Sequence, residues 1–445
     1  FGIAKADASL ADGQYVGANA SSWGYLGNGN KYTSGSASSY GASFTTGDVI
    51  GIAFDADNGT LTFYKNGTSQ GSAFTGLTSG PYFPAVSTYS SSDSYSFNFG
   101  ARVFSTAASS GFKSLNTANL PASTILKGSD YFQTVLYTGN GSTQTISGLG
   151  FSPDLVWCKV RGLNSSHNLW DVVRGARIQL QSNTTNAEYT ESAGYGLTAF
   201  NSDGFSLGLD NQGPGRVNSS GEAFAAWCWD AGSSNATNTS GSITSTVRAN
   251  ASAGFSIATY SITGASSTIS TFGHGLGVAP EFVILKVRNV NDTWTVYHKG
   301  ISNPTSNWLT LNATDAAGGG TATFSTSSTT FGVRETRLVA GGGSGNILAY
   351  LFTGISGYSS AFSYTGNGSA DGPAVYLGFR PRLIIIKRTD SADDWNMFDT
   401  ARSTYNVMGH DLLANRSDSE YTGTYIDALS NGFKVRETNA SRNAS

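Results

Sequence analysis

The feature that most constrains this chain is that it contains one unit three times. The segments LGFSPDLVWCKVR (149–161), LGVAPEFVILKVR (276–288) and LGFRPRLIIIKRT (377–389) share a pattern in which a proline is followed six residues later by a lysine: Pro153 and Lys159, Pro280 and Lys286, Pro381 and Lys387. A tryptophan follows in each, at Trp170, Trp294 and Trp395. A phenylalanine then follows at Phe205, Phe331 and Phe433, which lie 52, 51 and 52 residues beyond the proline. Spacing kept over that distance requires one fold used three times. The first two copies close on an apolar run, AFAAWCWD (223–230) and NILAYLF (346–352), whereas the third has only twelve residues after Phe433. A sheet lacking its closing strand has an open edge and an unfilled core, so the pattern predicts a third copy cut short, with polypeptide continuing past Ser445.

Within the unit, FVILKV and LIIIKR are nearly continuous in β-branched and apolar residues, as expected of strands covered on both faces or central in a sheet. Turn signals such as Gly139-Asn140-Gly141, Gly366-Asn367-Gly368 and Asn431-Gly432 recur at hairpin spacing. A proline at the head of each key strand costs little, because the first position can lack its N–H. Composition agrees: 56 glycines, 12% aromatics and only 12% charged residues against an average of about 25%, with methionine only at Met397 and Met408. The predicted fold class is all-β, a string of antiparallel β-sandwich domains of concanavalin or jelly-roll type.

Residues 1–104 follow a different pattern. Gly47-Asp48 leads into an alternating strand, Asn58-Gly59 makes a turn, LTFYK returns, Asn66-Gly67 makes the next turn, and YFPAVSTYSSSDSYSFNFG (82–100) follows. This segment resembles the SPRY (B30.2) family, whose core reads as GD and a hydrophobic strand, D-NGT-L-FY-NG, a YPAVS-like strand and a final NFG. The resemblance implies a concanavalin-like sandwich that recognises proteins through its loops, carries no catalytic residues across, and has its first third before Phe1. GFKSLNTANLP (111–121) and residues 377–406 resemble stretches that recur beside SPRY-like modules in large virion proteins of tailed phages.

The expected organisation is a SPRY-like sandwich at 1–104, a linker at 105–130, repeats at 131–231, 253–354 and 355–445, and a second linker at 232–252 rich in Ser, Thr and Asn. A net charge of −3 without any Lys/Arg run argues against nucleic acid. No run of about 18 apolar residues predicts a membrane span, and no secretion signal opens the chain. Cys158 and Cys228 lie in apolar runs and align with Leu285 and Leu351, so burial is the expected role and a bridge between neighbouring strands the alternative.

Constellations with catalytic spacing have simpler readings. Gly67–Gly71 matches a nucleophile elbow in letters but lies between hairpin strands. Asp55–Gly59 begins like a calcium loop but places its glycine one position early. His167, His274, His298 and His410 are scattered singly, without zinc spacing. Asp393, Asp394 and Asp399 surround Trp395, yet a glycosidase needs two carboxylates facing across a sugar, and the other copies have few equivalents. The sequons at Asn19, Asn58, Asn66, Asn140, Asn183, Asn235 and Asn312 are those expected by chance in such a composition. No catalytic residue, metal site or cofactor is expected.

Aromatics remain as binding candidates. Trp23, Tyr25, Tyr32 and Tyr40 fall in a Gly/Ser/Asn-rich stretch read as a loop and are the predicted ligand-binding set; Trp170, Trp294 and Trp395 are read chiefly as core. The expected function is a non-catalytic structural and adhesive component of a phage virion. It would be homo-oligomeric, with a trimer favoured, and would contact other virion proteins and a carbohydrate or protein on the host surface. A cell-surface adhesin is the alternative, and a polysaccharide depolymerase a weaker one.

Overall fold

The computed structural model describes residues 1–5, 8, 15–78, 82–88, 90, 93–119, 123–210, 216–263, 267–339 and 343–444. The fold is all-β, with antiparallel ladders between its named strands, and it divides into two compact units, Phe1–Pro121 and Ala122–Ser445.

In the first unit a five-stranded sheet runs in the order Ser36–Ser39, Asn30–Thr33, Ser22–Tyr25, Gly2–Ala4, Phe83–Ala85. A three-stranded meander, Ile50–Asp55, Thr60–Lys65 and Thr68–Phe74, packs against it. The turns fall where Asn-Gly pairs stand: Gly59 has φ +62° and Asn66-Gly67 have φ +49° and +84°. Ile3, Tyr25, Leu61, Phe63 and Ala73 fill the space between the sheets. Both described ends of the segment read as a linker at 105–130 bond to the unit they adjoin. Ser109 Oγ donates to Tyr64 Oη at 2.8 Å in the first unit, and Ser123 Oγ donates to the Ser356 carbonyl in the second.

The second unit holds the three repeats. In the first, a six-stranded sheet (Tyr189–Thr190, Ile178–Gln181, Asn168–Asp171, Leu155–Val160, Ala223–Trp229, Phe132–Thr138) lies over a three-stranded one (Gln144–Ser147, Gly204–Leu207, Leu197–Asn201). The second repeat has an eight-stranded sheet, again with its closing strand Gly345–Phe352 beside the key strand Phe282–Val287, and a three-stranded partner. In the third, one six-stranded sheet runs Ala374–Tyr376, Gly432–Val435, Tyr421–Leu429, Met408–Leu413, Trp395–Asp399, Leu383–Lys387; Tyr421–Leu429 continues from one layer into the other through a register shift near Met408. Each sandwich has its own apolar core. The outer faces of all three large sheets share a further core containing Leu155, Trp157, Ile284, Trp294, Trp395 and Met397. The key strands are therefore covered on both sides, which explains their unbroken apolar sequence.

Two expectations are corrected. Residues 232–252 are not a linker: Ala236–Asn238 pairs with Ser245–Asn250, which pairs with Phe255–Ile262, so they widen the second repeat's sheet. Backbone ladders and the burial of Ser245 and Val247 outweigh a composition poor in apolar residues. The recurrent tryptophan is also assigned differently. Leu155 pairs with Asp171, Phe282 with His298 and Leu383 with Asp399, so the position of Trp294 and Trp395 is held in the first repeat by His167, while Trp170 matches Tyr297 and Phe398.

Candidate functional site

The repeats are joined in rotation. The Glu188 N–H of the first repeat donates to the Arg288 carbonyl of the second at 2.7 Å, Ala317 of the second to Thr389 of the third at 2.8 Å, and Glu420 of the third to Arg161 of the first at 2.7 Å. A second set runs the other way round: Asp292 to Thr185 at 2.9 Å, Ser165 to Ser417 at 2.7 Å and Asp393 to Thr314 at 2.7 Å. The three repeats thus form a closed ring within one polypeptide.

Side chains follow the same rotation. Trp294 Nε1–H donates to the Gln181 carbonyl at 3.0 Å and Trp395 Nε1–H to the Thr310 carbonyl at 2.9 Å. In the first repeat His167 stands at this place with the Leu413 backbone beside it, accepts from Trp157 Nε1–H at 3.0 Å, and stacks on Trp227. Burial holds its imidazole well below the usual range, in the neutral form. Arg288 pairs with Glu188 at 2.7 Å and Arg161 with Glu420 at 2.6 Å; the third joint has Thr389 and Ala317 instead of charges.

Two ion pairs lie wholly inside the ring. Arg174 meets Asp171 at 2.5 Å, and Asp171 also accepts from Tyr350 Oη–H at 2.8 Å, a residue of the second repeat's closing strand. Arg402 meets Asp399 at 2.5 Å, and Asp399 accepts from Trp227 Nε1–H at 3.1 Å, a residue of the first repeat's closing strand. Asp171 and Asp399 each stand eighteen residues after the repeat proline, with arginine three further on; the second repeat has His298 and Ile301 there. That spacing was the signal by which sequence reasoning could have found these pairs.

The repeat lysines are tied to backbone carbonyls, one of them across a joint. Lys159 Nζ donates to the Val160 and Leu163 carbonyls, and Lys286 Nζ donates to Asp292 of its own repeat and across the joint to Thr185. Desolvation pulls Lys159, Lys286 and Lys387 each down to about 8.

Elsewhere the sequence candidates have structural partners. Asp394 binds Arg416 at 2.6 Å and Asn415 at 2.7 Å, and Asp399 is buried in its ion pair, so the acids around Trp395 do not face one another across a cleft. Cys158 and Cys228 are buried free thiols; burial pushes Cys158 up to about 12. His298 accepts from Gly300 N–H at 2.9 Å, and burial lowers it to about 4. Among the described residues, no group of three His, Cys, Asp or Glu could hold a metal ion, and no helix is long and apolar enough to cross a membrane.

The predicted binding aromatics are not on one loop. Trp23 and Tyr25 lie on Ser22–Tyr25, Tyr32 lies on Asn30–Thr33, and Tyr40 follows Ser36–Ser39. Tyr25 is corrected outright from exposed to core: it is fully buried, bonds the Ala42 carbonyl, and packs on Tyr40, Phe44 and Phe63. Trp23 and Tyr40 rim the same core. Tyr32 pairs with Gly24, which turns it to the opposite face of the sheet. Around Trp23 a small surface cluster forms, with Tyr82 edge-on at 5.7 Å and Lys5 Nζ 5.9 and 5.7 Å from the two ring centroids.

Fold and joints together define a β-protein of two parts, a two-layer sandwich module ahead of a closed three-repeat ring. The chain belongs to the DUF7483 family, described as a domain of unknown function, whose model matches residues 127–445. The SPRY domain model matches residues 1–102, in agreement with the motifs of that segment. The same region is similar to the E3 ubiquitin-protein ligase RKP of Arabidopsis thaliana, 39% identical over 107 residues, which is 23% of this chain and 7% of that protein. It is also similar to Ran-binding protein 10 of Danio rerio and Ran-binding protein 9 of Homo sapiens, each 41% identical over 85 residues, 19% of this chain and 14% and 12% of theirs. The chain thus matches only a small fraction of the length of these relatives, all within the SPRY region. No solved structure matches the chain.

Proposed function

We propose that this chain is a non-catalytic recognition and scaffold protein in which the SPRY module binds a partner and the three-repeat ring is a stiff body that carries it. The observation that supports this best is the rotation of backbone and indole hydrogen bonds that joins each repeat to the next around the ring. On the SPRY module, Trp23, Tyr32, Tyr82 and Lys5 are the residues proposed to touch a protein or glycan. The expected result is that Lys5→Ala, in the Trp23 cluster, weakens capture of the partner several-fold while leaving the melting temperature in place; Tyr32→Ala probes the opposite face of the sheet, and capture unchanged by both would remove these residues from consideration.

The setting we propose is the virion of a tailed phage, as part of a fibre or similar appendage, homo-oligomeric and facing the host. The resemblance of residues 111–121 and 377–406 to virion-protein stretches supports it, as does a sequence poor in charge and rich in Ser and Thr. Immunogold labelling of purified particles with an antibody to residues 1–230 tests this. Label on a phage appendage is the expected result; label on a cell envelope would replace the virion with a surface adhesin.

A further inference from the structure

The third repeat departs from the other two at one place. In the first, Ala223–Trp229 lies between Phe132–Thr138 and Leu155–Val160, and in the second Gly345–Phe352 lies between Phe255–Ile262 and Phe282–Val287, with ladders on both sides. In the third, Leu383–Lys387 ends its sheet and pairs only with Trp395–Asp399. Asp154 and Arg161 donate N–H groups to Trp229 and Ala223, both at 2.8 Å, and Glu281 and Arg288 to Phe352 and Asn346 at 2.8 and 2.7 Å. Their counterparts Arg382 and Thr389 have no such backbone acceptor among the described residues.

Both walls around the vacant place are nevertheless in position. Tyr364–Ser369 repeats Tyr137–Ser142 letter for letter. Tyr364 Oη–H donates to the Arg442 carbonyl as Tyr137 Oη–H does to that of Val217. Asn367 N–H donates to Asn443 Oδ1 at 2.8 Å, and Asn140 N–H to Asn218 Oδ1 at 3.0 Å. A Cβ on Gly366 would lie 2.3 Å from the Ala444 carbonyl oxygen, and one on Gly139 would lie 2.2 Å from that of Ser219, so glycine is required at both for the same close approach. Residues 361–365 nonetheless form no ladder. Between them and Leu383–Lys387 lies a cavity of about 780 Å³, lined by Phe282, His298, Ile301, Phe352, Phe362 and Ile385 among others.

The ring shows which side chain suits this place. Asp171 and Arg174 receive Tyr350, and Asp399 and Arg402 receive Trp227, each from a neighbouring closing strand. His298 and Ile301 hold the corresponding place in the second repeat and face the cavity.

We propose that this cavity is a strand-acceptor site, filled by an extended, uncharged apolar segment of about seven residues from polypeptide outside residues 1–445, seated between residues 361–365 and Leu383–Lys387 with an aromatic side chain on His298 and Ile301. Its pattern is that of Ala223–Trp229 and Gly345–Phe352: one face carries Phe/Ile, Ala and Cys/Leu into the third sandwich, and the other carries Ala/Leu, Trp/Tyr and Trp/Phe into the ring core. A second copy is the poorer occupant. Its closing strands are committed to their own sheets, and pairing of two Leu383–Lys387 edges would bring Arg382, Lys387 and Arg388 of both copies together and leave the cavity unfilled.

The test is independent of any partner of the SPRY module. The 445-residue chain is mixed with a peptide of sequence EAFAAWCWD (222–230), and amide exchange is followed by mass spectrometry. The expected result is exchange at least tenfold slower at 361–365 and 383–387, absent with a proline-substituted peptide. A second variant with GEAFAAWCWDA (221–231) appended after Ser445, where the match of Asn443 to Asn218 sets the register, is expected to slow exchange at the same two segments. If neither slows it, or if the free chain already protects Leu383–Lys387 and sediments as a dimer, the proposal is overturned.

Discussion

A lysine ammonium in an apolar interior is held at a cost, and Lys159 and Lys286 have no exposed surface. Each titrates near 8 in the folded chain against 10.5 when free. Between those values the unfolded chain holds more protons, so stability rises with pH; below pH 8 both states are protonated and the burial penalty is carried in full. Urea midpoints are therefore expected to climb from pH 8 to about 10, and the climb should shrink in Lys159→Met/Lys286→Met. Above pH 10 the buried hydroxyls of Tyr137 and Tyr350, which burial raises well above the ordinary value, turn the trend downward. The ring's ion pairs respond differently, because removing one partner leaves the other buried and unpaired. Asp399→Ala is expected to destabilise the second unit by about 3–5 kcal/mol in denaturant titration. The lysines were legible in the repeat spacing, whereas their burial was not. His167 was missed because Trp170 stands only three residues away and matches by letter, and only strand register separates the two.

Among the elements, the key strands were the most legible, since continuous β-branched sequence requires cover on both faces. Lateral pairing is unequal. Leu155–Val160 and Phe282–Val287 have ladders on both sides, Leu383–Lys387 on one. Hydrogen exchange without any added peptide is expected to be slowest in the first two and markedly faster in the third. Residues 236–250 were misread because Ser, Thr and Asn resemble a linker, while their stability comes from ladder bonds and from Arg248, which reaches Asp154 of the preceding repeat at 2.8 Å. Native trypsin digestion is accordingly expected to spare Arg248; rapid cleavage there would show a free tether.

For the whole molecule, the division at Pro121 and the shared core among three repeats lead to a thermodynamic expectation. Calorimetry should resolve two transitions, one for Phe1–Pro121 and one for Ala122–Ser445, with the second cooperative across all three repeats. A single repeat isolated as residues 131–231 would expose Trp157, Trp227 and Leu155 and is expected to aggregate or remain partly folded. The sequence alone determined the threefold repetition, the key strands with their flanking turns and the SPRY-like character of the first hundred residues, because these rest on local periodicity and on fixed spacing along the chain. Tertiary structure alone decided that the repeats close into a ring and that His167 stands where tryptophan stands in its neighbours. Those properties depend on which residues meet across joints between segments from 72 to 259 positions apart, as in Ala317 with Thr389 and Arg161 with Glu420, and no local pattern encodes such a meeting.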